Sequence, residues 1–130
     1  MVNDPVSDFI IQLKNAGMVG KEEVSLPYSK LKHAIADKLV ESGFVSSAEK
    51  HGKKAKKSLN VTLKYADGRH SISGVKRVSK PGRRFYIKVS DIHQVKFGQG
   101  KRILSTPAGI LTGDEARKQN VGGEELFIIW

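Results

Sequence analysis

The sequence contains no cysteine. That excludes a disulfide framework, a thiolate nucleophile and any Cys-ligated zinc or iron–sulfur site, and it is compatible with a reducing cytoplasm. No stretch approaches the roughly 18 apolar residues of a membrane helix, and no charged-then-apolar signal segment follows Met1, so no membrane partner is expected. Carboxylates are scarce beside cations, with 13 Asp and Glu against 23 Lys and Arg, a net charge of +10 over 130 residues. A hydrophobic content of 38% still supports a packed core, enough for one domain or two small ones. The four histidines, His33, His51, His70 and His93, sit on separate segments without metal-ligand spacing or an obvious orienting carboxylate. Gly98-Gln99-Gly100-Lys101 lacks both the spacing of a nucleotide-binding P-loop and the Ser or Thr after its lysine. Catalysis, a metal and a cofactor are therefore not expected.

What the chain has in excess is positive charge, and it is spread along the whole length. Residues 1–78 hold a net +6 and residues 79–130 a net +4. Each lysine or arginine placed on a phosphate releases condensed counterions, so a polyanion touching both halves is the partner this balance favours. A soluble basic protein without a specific site has the same composition.

Hydrophobic spacing divides the chain into an α+β pattern. Asp4 and Pro5 read as N-cap and first helical residue, followed by Val6, Phe9, Ile10 and Leu13 at helical spacing and a stop at Gly17. A short strand at Val24–Leu26 ends at Pro27. Ser29 then caps a second helix with Leu31, Ala34, Ile35 and Leu39 facing inward, closing at Gly43. Strands follow from Phe44, from Leu59 to Tyr65, and from Ile72 to Val78, the last two joined by an Asp67-Gly68 turn. Ser79-Lys80-Pro81-Gly82-Arg83-Arg84 breaks the pattern. Beyond it lie a strand at Phe85–Val89, strands near Ile103 and Ile110, a capping box from Thr112 to Glu115, and a last strand at Leu126–Trp130. That strand is apolar on both faces, as a central strand is. Trp130 itself reads as packing. The expected architecture is two small α/β-type halves: an N-terminal α-β-α-β-β half over 1–78, a linker at 79–84, and a mostly antiparallel β half with a short helix over 85–130.

Several clusters are candidate contacts for nucleic acid. Lys53, Lys54, Lys56 and Lys57 belong to a basic hairpin loop suited to phosphates without base reading, or to simple solvation. Arg83 and Arg84 stand beside Phe85 and Tyr86, where guanidinium planes and rings can stack on unpaired bases. Only one of the two rings can face outward from a strand, and Phe85 is the better core candidate. Ser105 and Thr106 offer hydroxyls in one compact turn, and Gly109 lets the backbone turn sharply, although Ser-Thr before proline is also ordinary turn chemistry. Gly122 and Gly123 permit close backbone approach ahead of Glu124, or simply a turn before the last strand. Ser29 and Lys30 open a helix whose unpaired N–H groups favour a phosphate, or merely cap it.

The order of these segments resembles one family. Ser105-Thr106-x-x-Gly109, Thr112-x-x-Glu115-Ala116-Arg117, Val121-Gly122-Gly123-Glu124 and the terminal Trp130, with Asp4-Pro5-Val6-Ser7-Asp8 and Lys14-Asn15-Ala16 near the start, are similar to bacterial small-subunit ribosomal protein eight. The resemblance covers nearly the whole chain and is weakest in the middle. It implies a structural constituent of the small ribosomal subunit that binds the central domain of 16S rRNA and supports 30S assembly. Neighbouring small-subunit proteins are the other implied partners, and the family includes translational repressors of ribosomal-protein mRNA. The resemblance puts the Ser105-Thr106 loop against RNA, makes Gly122, Gly123 and Glu124 a second lip, exposes Tyr86 as a contact, and places the helix start at Ser29 and Lys30 near RNA. The chain departs from the family pattern at Pro107 and Ala108, where another hydroxyl and a basic residue are common. A small RNA-modifying enzyme is the rival from another class, but it would need converging titratable groups that the sequence does not offer.

Overall fold

A computed structural model describes residues 4–52, 57–66, 68–93 and 100–130. The chain is α+β, in two compact units: residues 8–73, and residues 1–7 with 74–130. The divide falls between Ser73 and Gly74, ahead of the linker expected at 79–84. No helix among the described residues is long and apolar enough to cross a membrane.

In the first unit, the part of α1 (Pro5–Met18) from Asp8 onward buries Phe9, Ile10 and Leu13 as its spacing predicts. It does not stop at Gly17. The stop is Gly20 at φ 79°, where Gly20 N–H donates to the Gly17 carbonyl and Lys21 N–H to the Ala16 carbonyl, the paired bonds of a Schellman ending. Gly17 is glycine for another reason: a Cβ there would lie 2.1 Å from the His70 ring. β1 (Glu23–Pro27) and β2 (Val45–His51) flank β3 (Ser58–Leu63), all antiparallel, and β3 alternates its buried Leu59, Val61 and Leu63. Between β1 and β2, α2 (Lys30–Glu41) buries Ile35, Ala36 and Leu39. Leu31 was expected inside but is exposed, because Ala36 takes the inward stripe. β4 (Tyr65–Ala66) and β5 (Arg69–His70) form a small hairpin that turns at Gly68, φ 74°.

The second unit is built around the last strand, β10 (Gly123–Ile129). β8 (Lys101–Thr106) lies along one of its edges, with β9 (Gly109–Thr112) beyond β8. Along the other edge run first β6 (Val75–Arg77) and then β7 (Tyr86–Ile87). The strand expected at Ile72–Val78 therefore does not extend the first unit's sheet. It pairs with a segment about fifty residues away, so no local pattern could assign it. The expected linker is an excursion from this edge, in which Lys80 and Arg83 exchange both backbone hydrogen bonds at 2.9 Å around Pro81 and Gly82.

α3 (Gly113–Gln119) starts from the predicted capping box. Thr112 Oγ1 accepts from Glu115 N–H at 3.3 Å, and Glu115 Oε1 accepts from Thr112 N–H at 3.1 Å. The box seats Ala116 on Leu104, Leu111 and Ile92 in one buried cluster of this unit.

Candidate nucleic-acid interface

The strand register brings three of the predicted contacts into one row. Glu124 of β10 stands opposite Tyr86 on one side and Ser105 on the other. Residues paired in this way project from the same face, so Tyr86, Glu124 and Ser105 are lateral neighbours. At about 4.8 Å per strand spacing the row is roughly 10 Å wide. Tyr86 is 75% exposed. Phe85 does not go into the core as expected. The strand begins only at Tyr86, and Phe85 stays 42% exposed with the Arg83 guanidinium 5.1 Å from its ring centre. Both rings are thus available for stacking.

Glu124 is held in place from within. Its Oε2 accepts from the Ser79 hydroxyl and from Arg84 Nη1 at 3.2 Å, while Oε1 has no partner among the described residues and remains an acceptor. Ser79 is fully buried and also accepts from Phe85 N–H at 3.3 Å. The sequence reading missed Ser79, since nothing local distinguishes it from the loop residues that follow. The reading also missed Arg102 and Glu125, an ion pair on a groove of about 470 Å³ whose rim includes Lys76, Lys80, Arg83 and Phe85.

The hairpin between β8 and β9 carries Ser105, Thr106 and Gly109. Pro107 and Ala108 have negative φ, which rules out the primed two-residue turns that need positive φ at one or both central residues. Gly109 at φ 111° supplies the positive φ instead, just after the turn, and β8 and β9 run on from it in unbroken register. Proline at position 107 therefore suits this turn. Thr106 braces it, donating from Oγ1 to the Gly109 carbonyl at 2.8 Å and accepting from Ala108 N–H at 3.1 Å. Its donor is spent inside the protein, leaving one lone pair for a partner. Ser105 has no side-chain bond of this kind among the described residues, so its hydroxyl keeps its donor and its acceptors.

Gly122 and Gly123 are glycines because the strands crowd them. A Cβ at Gly123 would stand 2.2 Å from the Ser105 carbonyl oxygen, and one at Gly122 would stand 2.5 Å from the Ile87 carbonyl oxygen. Their smallness lets β10 lie tightly between its neighbours, which sets the spacing of the Tyr86–Glu124–Ser105 row.

Ser29 and Lys30 belong to the first unit. Ser29 caps α2, its hydroxyl 3.5 Å from Lys32 N–H, and Lys30 is exposed on the first turn. Lys57 is exposed, with its carbonyl accepting from Tyr28 N–H at 3.1 Å. Lys53, Lys54 and Lys56 lie outside the described residues. The histidines do not converge: His33 faces Tyr28 and Asp37 on α2, His51 pairs with Glu49 on β2, and His70 packs on Gly17.

Known proteins align over this same arrangement. A family model described as Ribosomal protein S8 matches residues 4–130. Small ribosomal subunit protein uS8 of Mycoplasmopsis synoviae (strain 53) is 46% identical over 130 residues, covering 99% of this chain and 98% of the relative. Its counterpart in Ruthia magnifica subsp. Calyptogena magnifica is 43% identical, covering 99% and 98%. The counterpart in Oleidesulfovibrio alaskensis (strain ATCC BAA-1058 / DSM 17464 / G20) is 44% identical over the full length of both chains.

Proposed function

This chain belongs to the Ribosomal protein S8 family, and from that premise we propose that it binds the central domain of 16S rRNA directly and helps the small subunit assemble. It is a structural, non-enzymatic ribosomal component. The observation that carries the RNA reading is the registered row of Tyr86, Glu124 and Ser105, with the cationic excursion of Lys80, Arg83 and Arg84 at one end and the Thr106–Gly109 turn at the other. An exposed ring stacks on an unpaired base, a carboxylate accepts from a base amino group or a ribose hydroxyl, and a serine hydroxyl does both. Arginines at the margin take the phosphates that fix orientation. The basic loop around Lys53, Lys54, Lys56 and Lys57 and the α2 start at Ser29 and Lys30 add phosphate contacts from the first unit.

A plain A-form duplex keeps its bases stacked and its major groove too narrow to read, so a row with an exposed stacking ring targets an irregular helix with at least one base displaced. A ribosomal-protein mRNA folded into the same irregular helix would be bound by the same residues, and that is the basis of the repressor reading. Footprinting the purified protein on 16S rRNA tests the proposal. The expected result is protection confined to one irregular helix of the central domain, persisting at moderate salt. Weak protection spread over the whole RNA and dispersed by salt would leave only generic basic binding.

A further inference from the structure

The first 25 residues contrast in charge with the rest of the chain. Asp4, Asp8, Glu22 and Glu23 outnumber Lys14 and Lys21 there, a net −2, while the remaining residues carry +12. Asp4 is neutralised by Arg77, so the segment displays beside β1 the carboxylates of Glu22 and Glu23 against the single cation of Lys21. Within the first unit it supplies β1, one of the two edges of the three-stranded sheet. The other edge, β2, is broken by a register shift between Val45 and Ser47, which discourages a further strand. β1 has no such interruption: all five of its residues pair with β3 in continuous register.

The direction of the free backbone groups follows from two bonds. Leu63 N–H donates to the Glu22 carbonyl at 2.8 Å and Tyr28 N–H donates to the Lys57 carbonyl at 3.1 Å. In an antiparallel pair the bonding direction alternates, so Glu22, Val24, Leu26 and Tyr28 turn their main chains toward β3. Glu23 and Ser25 then point their N–H and C=O groups away from it, and these groups have no partner among the described residues. Beside them runs an open groove of about 400 Å³, bounded on its far side by Gln12 and Asn15 of α1 and by Val19. Met18 and Val19 at the groove's helix end are 71% and 72% exposed.

We propose that this edge is a docking site for an extended, basic peptide segment of a partner protein, which adds to β1 as a further strand. The unpaired N–H and C=O groups of Glu23 and Ser25 supply the ladder, the apolar side chains of the incoming strand rest on Val19 and Met18, and its cations meet Glu22 and Glu23. The proposal is independent of the RNA-binding row, since it uses none of those residues.

The probe is an eight-residue peptide alternating lysine and valine, with a glutamate–valine peptide as control, added to the full-length protein. Amide hydrogen exchange at Glu23 and Ser25 should slow at least tenfold with the lysine peptide and stay unchanged with the control. Ser25→Pro removes an outward N–H that β3 does not use, so binding should be lost while the melting temperature holds. Glu23→Lys leaves the backbone intact and should weaken binding at least tenfold, which keeps the test decisive if the proline variant fails to fold. The proposal is overturned if the lysine peptide gives no protection, if both peptides protect equally, or if Glu23→Lys binds as well as the natural chain. Protection of the same amides by a 16S rRNA central-domain fragment would also overturn it, because the edge would then belong to the RNA surface.

Discussion

Ser79, fully buried, donates its hydroxyl to the carboxylate of Glu124, 45 positions further along the chain. This bond fixes the one acidic residue in the proposed RNA row and also satisfies the Phe85 N–H. Ser79→Ala leaves both groups short of a partner in a part-buried setting, and should destabilise the protein by about 1–3 kcal/mol. Equilibrium denaturation at neutral pH measures it. A change within experimental error would mean that Arg84 alone positions Glu124.

Thr106 and Ser105 separate the roles of turn and contact. Thr106→Ala loses two bonds that brace the hairpin, so stability should fall by about 1 kcal/mol, and any loss of RNA affinity is partly structural. Ser105→Ala breaks no such bond. Its melting temperature should match that of the natural chain, while RNA affinity drops by about 1–2 kcal/mol, a partner group being left unsatisfied. Melting and affinity measured on the same samples test both. A destabilised Ser105→Ala with unimpaired binding would remove Ser105 from the interface.

How far the sequence led depends on whether the determinant was local. The Ser29 cap, the Thr112–Glu115 box and the apolar alternation of Leu59, Val61 and Leu63 are short-range devices, and the structure has them where the spacing put them. Val75–Arg77 pairs with Phe127–Ile129, and its membership of the second unit depends on that distant strand. Gly17 looked like a helix stop, but its smallness serves the His70 ring more than fifty residues later. The residues of the row were individually legible through the family resemblance. Their side-by-side order was not, because it comes from the register of β10 between β7 and β8.

Stability in acid should fall in two stages. Burial lowers the His70 pKa below the ordinary 6.5, since both ring nitrogens are enclosed without a hydrogen-bond partner among the described residues. The unfolded chain takes up that proton more readily, so His70's contribution is complete above about pH 6.5 and is lost as pH falls toward its lower folded value. For Asp4, burial raises the pKa, but the Arg77 hydrogen bond, the Ser7 N–H and the charges of Arg77 and Arg84 outweigh it and hold the carboxyl below its usual 3.8. That contribution is complete above about pH 3.8 and disappears as pH drops through the lower folded value. In thermal melts, His70→Phe should remove the first stage and keep the second. A variant that still shows the first loss of stability as pH falls below 6.5, as the natural chain does, would contradict the His70 assignment.

The central claim, that the Tyr86–Glu124–Ser105 row is the RNA-reading surface, is tested most directly by the affinity of Tyr86→Ala for the central-domain fragment of 16S rRNA. Tyr86 is 75% exposed and its side chain holds no hydrogen bond among the described residues, so the variant should melt as the natural chain does. Removing a ring that stacks on one base costs about 1–3 kcal/mol, so affinity should fall roughly tenfold to a hundredfold. Its salt dependence should stay unchanged, because no phosphate contact is lost. Unchanged affinity in the folded variant would contradict the claim and leave the RNA surface to the basic loops alone.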